Sequence, residues 1–223
     1  MLLSAYRFSL KLRRSRHIAT ALVLIAGVFL LSGCASPAIK GDAYTEQSPT
    51  LDIVGFFEGT VKAWGIVQNR KGNIIQRFTV DIEGTVNGDT LVLDEVFNYD
   101  FGEGPMTRRW ELQRVESNEN NEWTGSANDI ASTATGAEHG NAFNWRYQMD
   151  LPRQGSDKTV RVVFDDWLWA MDDNTVVNRS YIKKFGITFA EVTIFMQKQS
   201  GPLVEAVDPV FPATDRSFAT QSL

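Results

Sequence analysis

Few side chains in this sequence have the reactivity that catalysis or ligation requires. Cys34 is the only thiol, and His139 is the only imidazole beyond residue 17. A lone thiol can serve as a nucleophile, a metal ligand or an acylation site, whereas a lone imidazole can move a proton but cannot complete a ligand set. His139 lies in Gly136-Ala-Glu-His-Gly140, a loop-like run, and no Gly-x-Ser-x-Gly elbow accompanies it. A Ser/His/Asp triad therefore lacks its parts, and zinc and haem lack theirs; no catalytic residue, metal or cofactor is expected.

Carboxylates cluster in Asp165-Asp-Trp-Leu-Trp-Ala-Met-Asp-Asp173. On a strand, Asp165 and Asp166 point to opposite faces, and Asp172-Asp173-Asn174 has the composition of a turn rather than a calcium loop, which would need a later bidentate Glu. Two-carboxylate hydrolysis would require Glu95 and Asp165 to converge. The aromatic residues leave two readings open. Trp64, Trp110, Trp123, Trp145, Trp167 and Trp169 all fall in predicted strands. Either the rings fill a core, or Trp64, Trp110, Trp145, Trp167 and Trp169 line a cavity for a small apolar or lipid-like ligand, with Arg109 or Arg179 as polar groups near its mouth. Arg179 fits a stacked core arginine as well as a carboxylate binder.

The surroundings of Cys34 are more specific. A basic run, Lys11-Leu-Arg-Arg-Ser-Arg16, precedes the 13 apolar-rich residues Ala19 to Leu31 and then Leu31-Ser32-Gly33-Cys34. That is the order of a secretory signal, and the apolar stretch is short of the about 20 residues that a stable span needs. Leu31, Ser32 and Gly33 before Cys34 resemble the lipobox of bacterial lipoproteins. The resemblance implies diacylglycerol transfer to the Cys34 thiol and cleavage after Gly33. Two or three acyl chains would then make a durable anchor, since burial is worth about 0.8 kcal/mol per CH₂. Ala35 and Ser36 are not the Asp that favours inner-membrane retention in enteric-type bacteria, so the expected location is the cell envelope, at the outer membrane facing the periplasm. With one cysteine, no intrachain disulfide can form.

Five of the 22 Lys and Arg residues, and none of the 27 Asp and Glu, lie in residues 1–33, so cleavage takes the formal charge from −5 to −10. Such an acidic chain is a poor partner for nucleic acid.

The elements that must position these groups read as strands. Arg77 to Val86 alternates Phe78, Val80 and Ile82 with Thr79, Asp81 and Glu83, and Asn87-Gly-Asp89 supplies a hairpin turn. Similar patterns predict strands near 56–68, 74–86, 90–98, 106–115, 122–129, 140–151, 159–170, 175–185 and 187–197, with 126–138 the one stretch that could be helical. Eight or nine consecutive hairpin-linked strands remove their edges by closing into an antiparallel up-and-down barrel of calycin or lipocalin type. The expected organisation is a signal peptide (1–33), a tether (34–51), the barrel (52–199) and a poorly ordered tail (200–223).

Phe56-Phe-Glu-Gly59 with Ala63-Trp-Gly65, Arg108-Arg-Trp110, Asp166-Trp167, Asn178-Arg179 and Lys184-Phe-Gly186 resemble an uncharacterised family of proteobacterial envelope lipoproteins, over roughly residues 50–198. The resemblance implies a lipocalin-like domain behind a lipobox and brings no activity with it. True lipocalins carry Gly-x-Trp in the first strand, whereas Trp64 here stands between Ala63 and Gly65. The leading expectation is a non-enzymatic, membrane-anchored barrel that binds a small apolar or lipid-like ligand. The alternative is a solid barrel that presents its outer face to a protein partner.

Overall fold

The computed structural model describes residues 38–115, 121–153 and 155–200. Cys34 with Leu31, Ser32 and Gly33, and the tail beyond residue 200, lie outside the described residues. The strands are β1 (Gly59–Asn69), β2 (Ile74–Asn87), β3 (Thr90–Phe101), β4 (Thr107–Arg114), β5 (Glu122–Ala127), β6 (Ala134–His139), β7 (Ala142–Pro152), β8 (Thr159–Asp172), β9 (Thr175–Lys184) and β10 (Ile187–Lys198). Each pairs antiparallel with the next and β10 returns to β1, giving a closed calycin-like barrel without a free edge. Among the described residues no helix is long and apolar enough to cross a membrane.

The barrel has ten strands rather than eight or nine. The extra one is β6, within the stretch that looked helical, and it ends at His139, so the expected loop around His139 is largely strand. Its alternation is invisible in sequence because two of its three inward positions, Ala134 and Gly136, are small and the third is Glu138. A Cβ on Gly136 would lie 2.5 Å from the Trp145 ring and 2.2 Å from the Asn144 carbonyl oxygen. Neighbouring rings fill the volume that a larger β6 side chain would need.

Elsewhere alternation sets the inside. Val61, Ala63 and Val67 of β1 lie beside Phe78, Val80 and Ile82 of the neighbouring β2 on the inward face, while Lys62 and Asp81 pair at 2.6 Å on the outer face. Residues 53–57, partly assigned above to the first strand, instead form helix α1 (Ile53–Phe57), whose Ile53, Phe56 and Phe57 are buried in the main core. α1 closes one end of the barrel. Gly84 of β2 has no side chain because a Cβ there would come within 1.8 Å of the Phe57 carbonyl oxygen. Lys198 Nζ donates to the Gly55 and Phe56 carbonyl oxygens at 2.8 and 3.2 Å, satisfying orphan acceptors at the helix C-terminus.

From residue 38 onward the expected tether is docked, not free. A 3-10 turn (Gly41–Ala43) carries Ile39 and Tyr44 onto Ala142, Trp167 and Tyr181 on the outer wall. Leu51 N–H then donates to the Gly140 carbonyl at 2.9 Å, and Leu51 itself enters the core. The physical reason is apolar area: this stretch of wall is aromatic and would be left wet without a cover.

Candidate functional site

The barrel interior combines aromatic walls with a polar cluster of matched register. Glu95 on β3 stands directly opposite Arg108 on β4, and both point inward, as do Leu93 and Trp110 beside them. Asp166 on β8 lies between Trp145 of β7 and Ser180 of β9. Tyr147 on β7 is the next inward residue from Trp145 and is buried; it packs edge-on against Trp110, ring centroids 5.1 Å apart.

Arg108 is already committed. Its Nε donates to both Asp129 carboxylate oxygens at 3.0 Å, and Nη2 donates to Oδ2 at 2.8 Å, a bidentate fork. The guanidinium also sits over the Phe97 and Trp110 rings at 5.7 and 5.9 Å. Burial works against its charge, but Tyr147, Glu95 and Asp129 more than offset this and hold its proton more tightly than usual.

Glu95 and Asp166 have no such fork. Burial pushes the Glu95 carboxyl up to about 7, against the pull of Arg108 and with the help of Asp129 and Asp166. Burial likewise pushes Asp166 up to about 7, with Ser180, Arg108 and Tyr147 easing the shift and Asp165 adding to it. The Tyr147 phenol is pushed well up, first by burial and then by Asp166. Ser180 faces Asp166 across the strand pair, and its hydroxyl and that of Tyr147 are the groups placed to donate to the Asp166 carboxylate, although Asp166 Oδ1 and Ser180 Oγ fall outside strict hydrogen-bond geometry. Both carboxylates are deeply surrounded by protein, yet each residue keeps part of its surface accessible. Groups titrating near neutrality can exchange protons or accept hydrogen bonds there.

The expected site residues divide by face. Trp110 and Trp145 are interior, with ring centroids 5.8 Å apart. Trp64 is not: it lies outside the barrel, largely exposed, against Phe195 at 5.9 Å. Trp167 and Trp169 also face outward, beneath the residue 38–52 strap, with the Tyr44 ring 5.8 and 6.0 Å away. Arg109 points to solvent and pairs with Asp94 at 2.6 Å, and Arg179 pairs with Glu191 on the outer wall beside Tyr181. Neither arginine can orient a ligand in the interior. Asp165 is outward too, held by Lys183 at 2.5 Å and Asn144 at 3.1 Å, so the Glu95 and Asp165 pair does not form. The inward partners of those residues, Arg108 and Asp166, are one position away and were missed. In each case the clue was alternation, with the wrong member assigned to the interior. His139 stacks on Trp167, 6.1 Å between centroids, on the outer wall.

At the α1 end, a cleft of about 220 Å³ lies between Asp52, Phe56, Asp172 and Asp173. Asp172 is occupied there, accepting from Asn174 N–H at 2.9 Å in the β8–β9 turn. Among the described residues no group of three or more His, Cys, Asp or Glu side chains is placed to hold a metal ion.

Comparison with known proteins gives a family but no function. A family model described as "Protein of unknown function (DUF3833)" matches residues 28–198. No curated protein matches. Among solved structures, an S-type phycobiliprotein lyase from Guillardia theta is similar at 11% identity and a TM-score of 0.46, over 65% of this chain and 89% of its own.

Proposed function

This chain belongs to the DUF3833 family of proteins of unknown function, and from that premise we propose that it is a lipid-anchored envelope protein whose barrel binds a small amphipathic molecule, apolar in body with a hydrogen-bond-donating, cationic head. One observation carries the binding: Glu95 and Asp166 are inward-facing carboxylates, each partly accessible, while the Arg108 guanidinium beside them is forked onto Asp129. An ammonium or other cationic donor would balance Glu95 and Asp166, whose charge Arg108, forked onto Asp129, offsets only in part. An anionic head such as a fatty-acid carboxylate would add a further negative charge to the same site. Trp110, Trp145 and Tyr147 supply apolar and π surface for the body.

For the anchor, the support is the Leu31-Ser32-Gly33-Cys34 motif directly after an apolar segment, within the family match that begins at residue 28. Labelled palmitate should enter the wild-type chain and not the Cys34→Ser chain, and the wild type should fractionate with the outer membrane. Equal behaviour of the two chains removes the anchor.

Ligand binding is tested by titrating the full chain with n-hexylamine, 1-hexanol and n-hexanoate, which share one apolar body, and following tryptophan fluorescence. At pH 8 the ammonium should bind about tenfold tighter than the alcohol, a difference near 1.4 kcal/mol, with hexanoate weakest. Asp166→Asn should abolish the preference for the amine while retaining the alcohol. Hexanoate binding best would overturn the head-group assignment alone. No binding of any of the three would overturn the binding function itself.

A further inference from the structure

The end of the barrel remote from α1 gathers most of the protein's exposed apolar side chains. Hairpin tips β9–β10, β1–β2 and β3–β4 are consecutive around that rim. Of the twelve large hydrophobic residues exposed among the described residues, seven lie there: Ile74 and Ile75, Phe101 and Met106, and Phe185, Ile187 and Phe189. Isolated exposed apolar residues are ordinary, but a contiguous rim of them marks a contact surface.

Phe185 is the sharpest case. It is 93% exposed at the tip of a two-residue hairpin loop, with φ of +51° followed by Gly186 at +78°. Such a turn suits Asn or Gly, and a bulky residue is disfavoured at positive φ. The fold draws no packing from that ring, so its presence points to a contact outside the chain. Lys184 holds its Nζ 5.4 Å from the same ring, and Arg70 and Lys71 are exposed on the neighbouring tip, against Glu103 on the third. Arg77 and Asp100 pair at 2.6 Å and cancel. The rim is therefore locally cationic on a chain whose net charge without residues 1–33 would be −10.

We propose that this rim docks end-on to an anionic phospholipid bilayer, with Phe185, Ile187, Met106 and Ile74 entering the interface and Arg70, Lys71 and Lys184 meeting lipid phosphates. Aromatic and aliphatic tips flanked by Lys and Arg are the composition of interfacial anchors, and each cation near an anionic leaflet adds attraction. Chain length is consistent with the anchor reading on which the full arrangement rests. The strap starts on the wall over Trp167 and Tyr181, and Tyr181 is three residues, about 10 Å, from the rim residue Lys184. Ala38 is four residue steps from Cys34, a reach of at most about 14 Å. An acylated Cys34 and the apolar rim can therefore meet one bilayer, with the mouth opposite α1 facing lipid.

The test places a nitroxide on the full chain at Phe185→Cys and, as a control on the opposite rim, at Asp89→Cys in the β2–β3 turn. In vesicles of phosphatidylglycerol and phosphatidylcholine, the ratio of oxygen to nickel-complex collisions should be about tenfold higher at 185 than at 89, as for a side chain inside the interface. It should fall to the control value in phosphatidylcholine alone, and also when Arg70→Glu and Lys71→Glu are added. Equal ratios at the two positions overturn the proposal. So does protection of position 185 without vesicles, which would indicate a protein partner or a second copy. Uptake of label by the wild-type chain would show Cys34 to be a free thiol and sink the acyl anchor alone; the rim is then judged by the same comparison in a Cys34→Ser chain.

Discussion

Replacing Asp166 by Asn tests whether the interior carboxylate is held against its own ionisation. In the folded chain burial pushes Asp166 from 3.8 to about 7. Below about pH 4 both folded and unfolded chains hold the proton, so the shift has no effect there. As pH rises through the window from 4 to 7, the unfolded chain releases its proton while the folded chain keeps it, and stability falls until the folded group ionises. Above about 7 the loss is complete. A shift of about three pH units corresponds to about 4 kcal/mol, and partial accessibility to water reduces this to about 2–4 kcal/mol. Asn has nearly the same shape and cannot ionise. The variant should therefore match the wild type at pH 4 and exceed it by that amount at pH 8. Urea denaturation followed by far-UV circular dichroism at pH 4, 5, 6, 7 and 8 reads this directly. With a slope of about 2 kcal/mol/M, the midpoint difference should grow to about 1–2 M. A midpoint difference that stays flat across that range, or that favours the wild type at pH 8, refutes the burial of an uncompensated carboxylate.

Other substitutions separate the two faces of the barrel. Arg108→Met leaves Asp129 and Glu95 without their cation and should cost about 3–5 kcal/mol in urea denaturation, whereas Arg109→Ala, in its exposed pairs with Asp94 and Glu111, should cost under about 1 kcal/mol. Equal costs would contradict the assignment of Arg108 to the interior. Trp167→Ala, buried beneath Tyr44, should cost about 3–5 kcal/mol and expose the strap to limited proteolysis; Trp64→Ala, on the open outer face, should do neither. Gly84→Ala should lower the thermal midpoint by well over 5 °C, because the new methyl meets the Phe57 carbonyl and forces α1 out of the barrel end. Retention of the wild-type midpoint would mean that α1 is not seated there.

The sequence alone was enough to predict a meander of hairpins and nine of its ten strands. Strands such as Arg77 to Val86 alternate polar and apolar residues, and Asn87-Gly88 turns the chain, with Gly88 at a φ of +61°. These are local properties, set by the two-residue repeat of a strand and by glycine's freedom at positive φ. Alternation also settled that Asp165 and Asp166, like Arg108 and Arg109, must face opposite ways. It could not say which member faces in. Around Trp167 both faces of β8 are apolar, because Phe164 and Leu168 fill the barrel while Trp167 and Trp169 are covered from outside by Tyr44. Polarity then carries no information about direction. Only the pairing register, which sets Glu95 against Arg108 and Asp166 against Ser180, decided which charges share the interior. The inward small residues of β6, the plugging of one end by α1 and the docking of residues 38–52 are likewise tertiary outcomes. Each depends on volume supplied by a distant part of the chain, and no local pattern of residues encodes that volume.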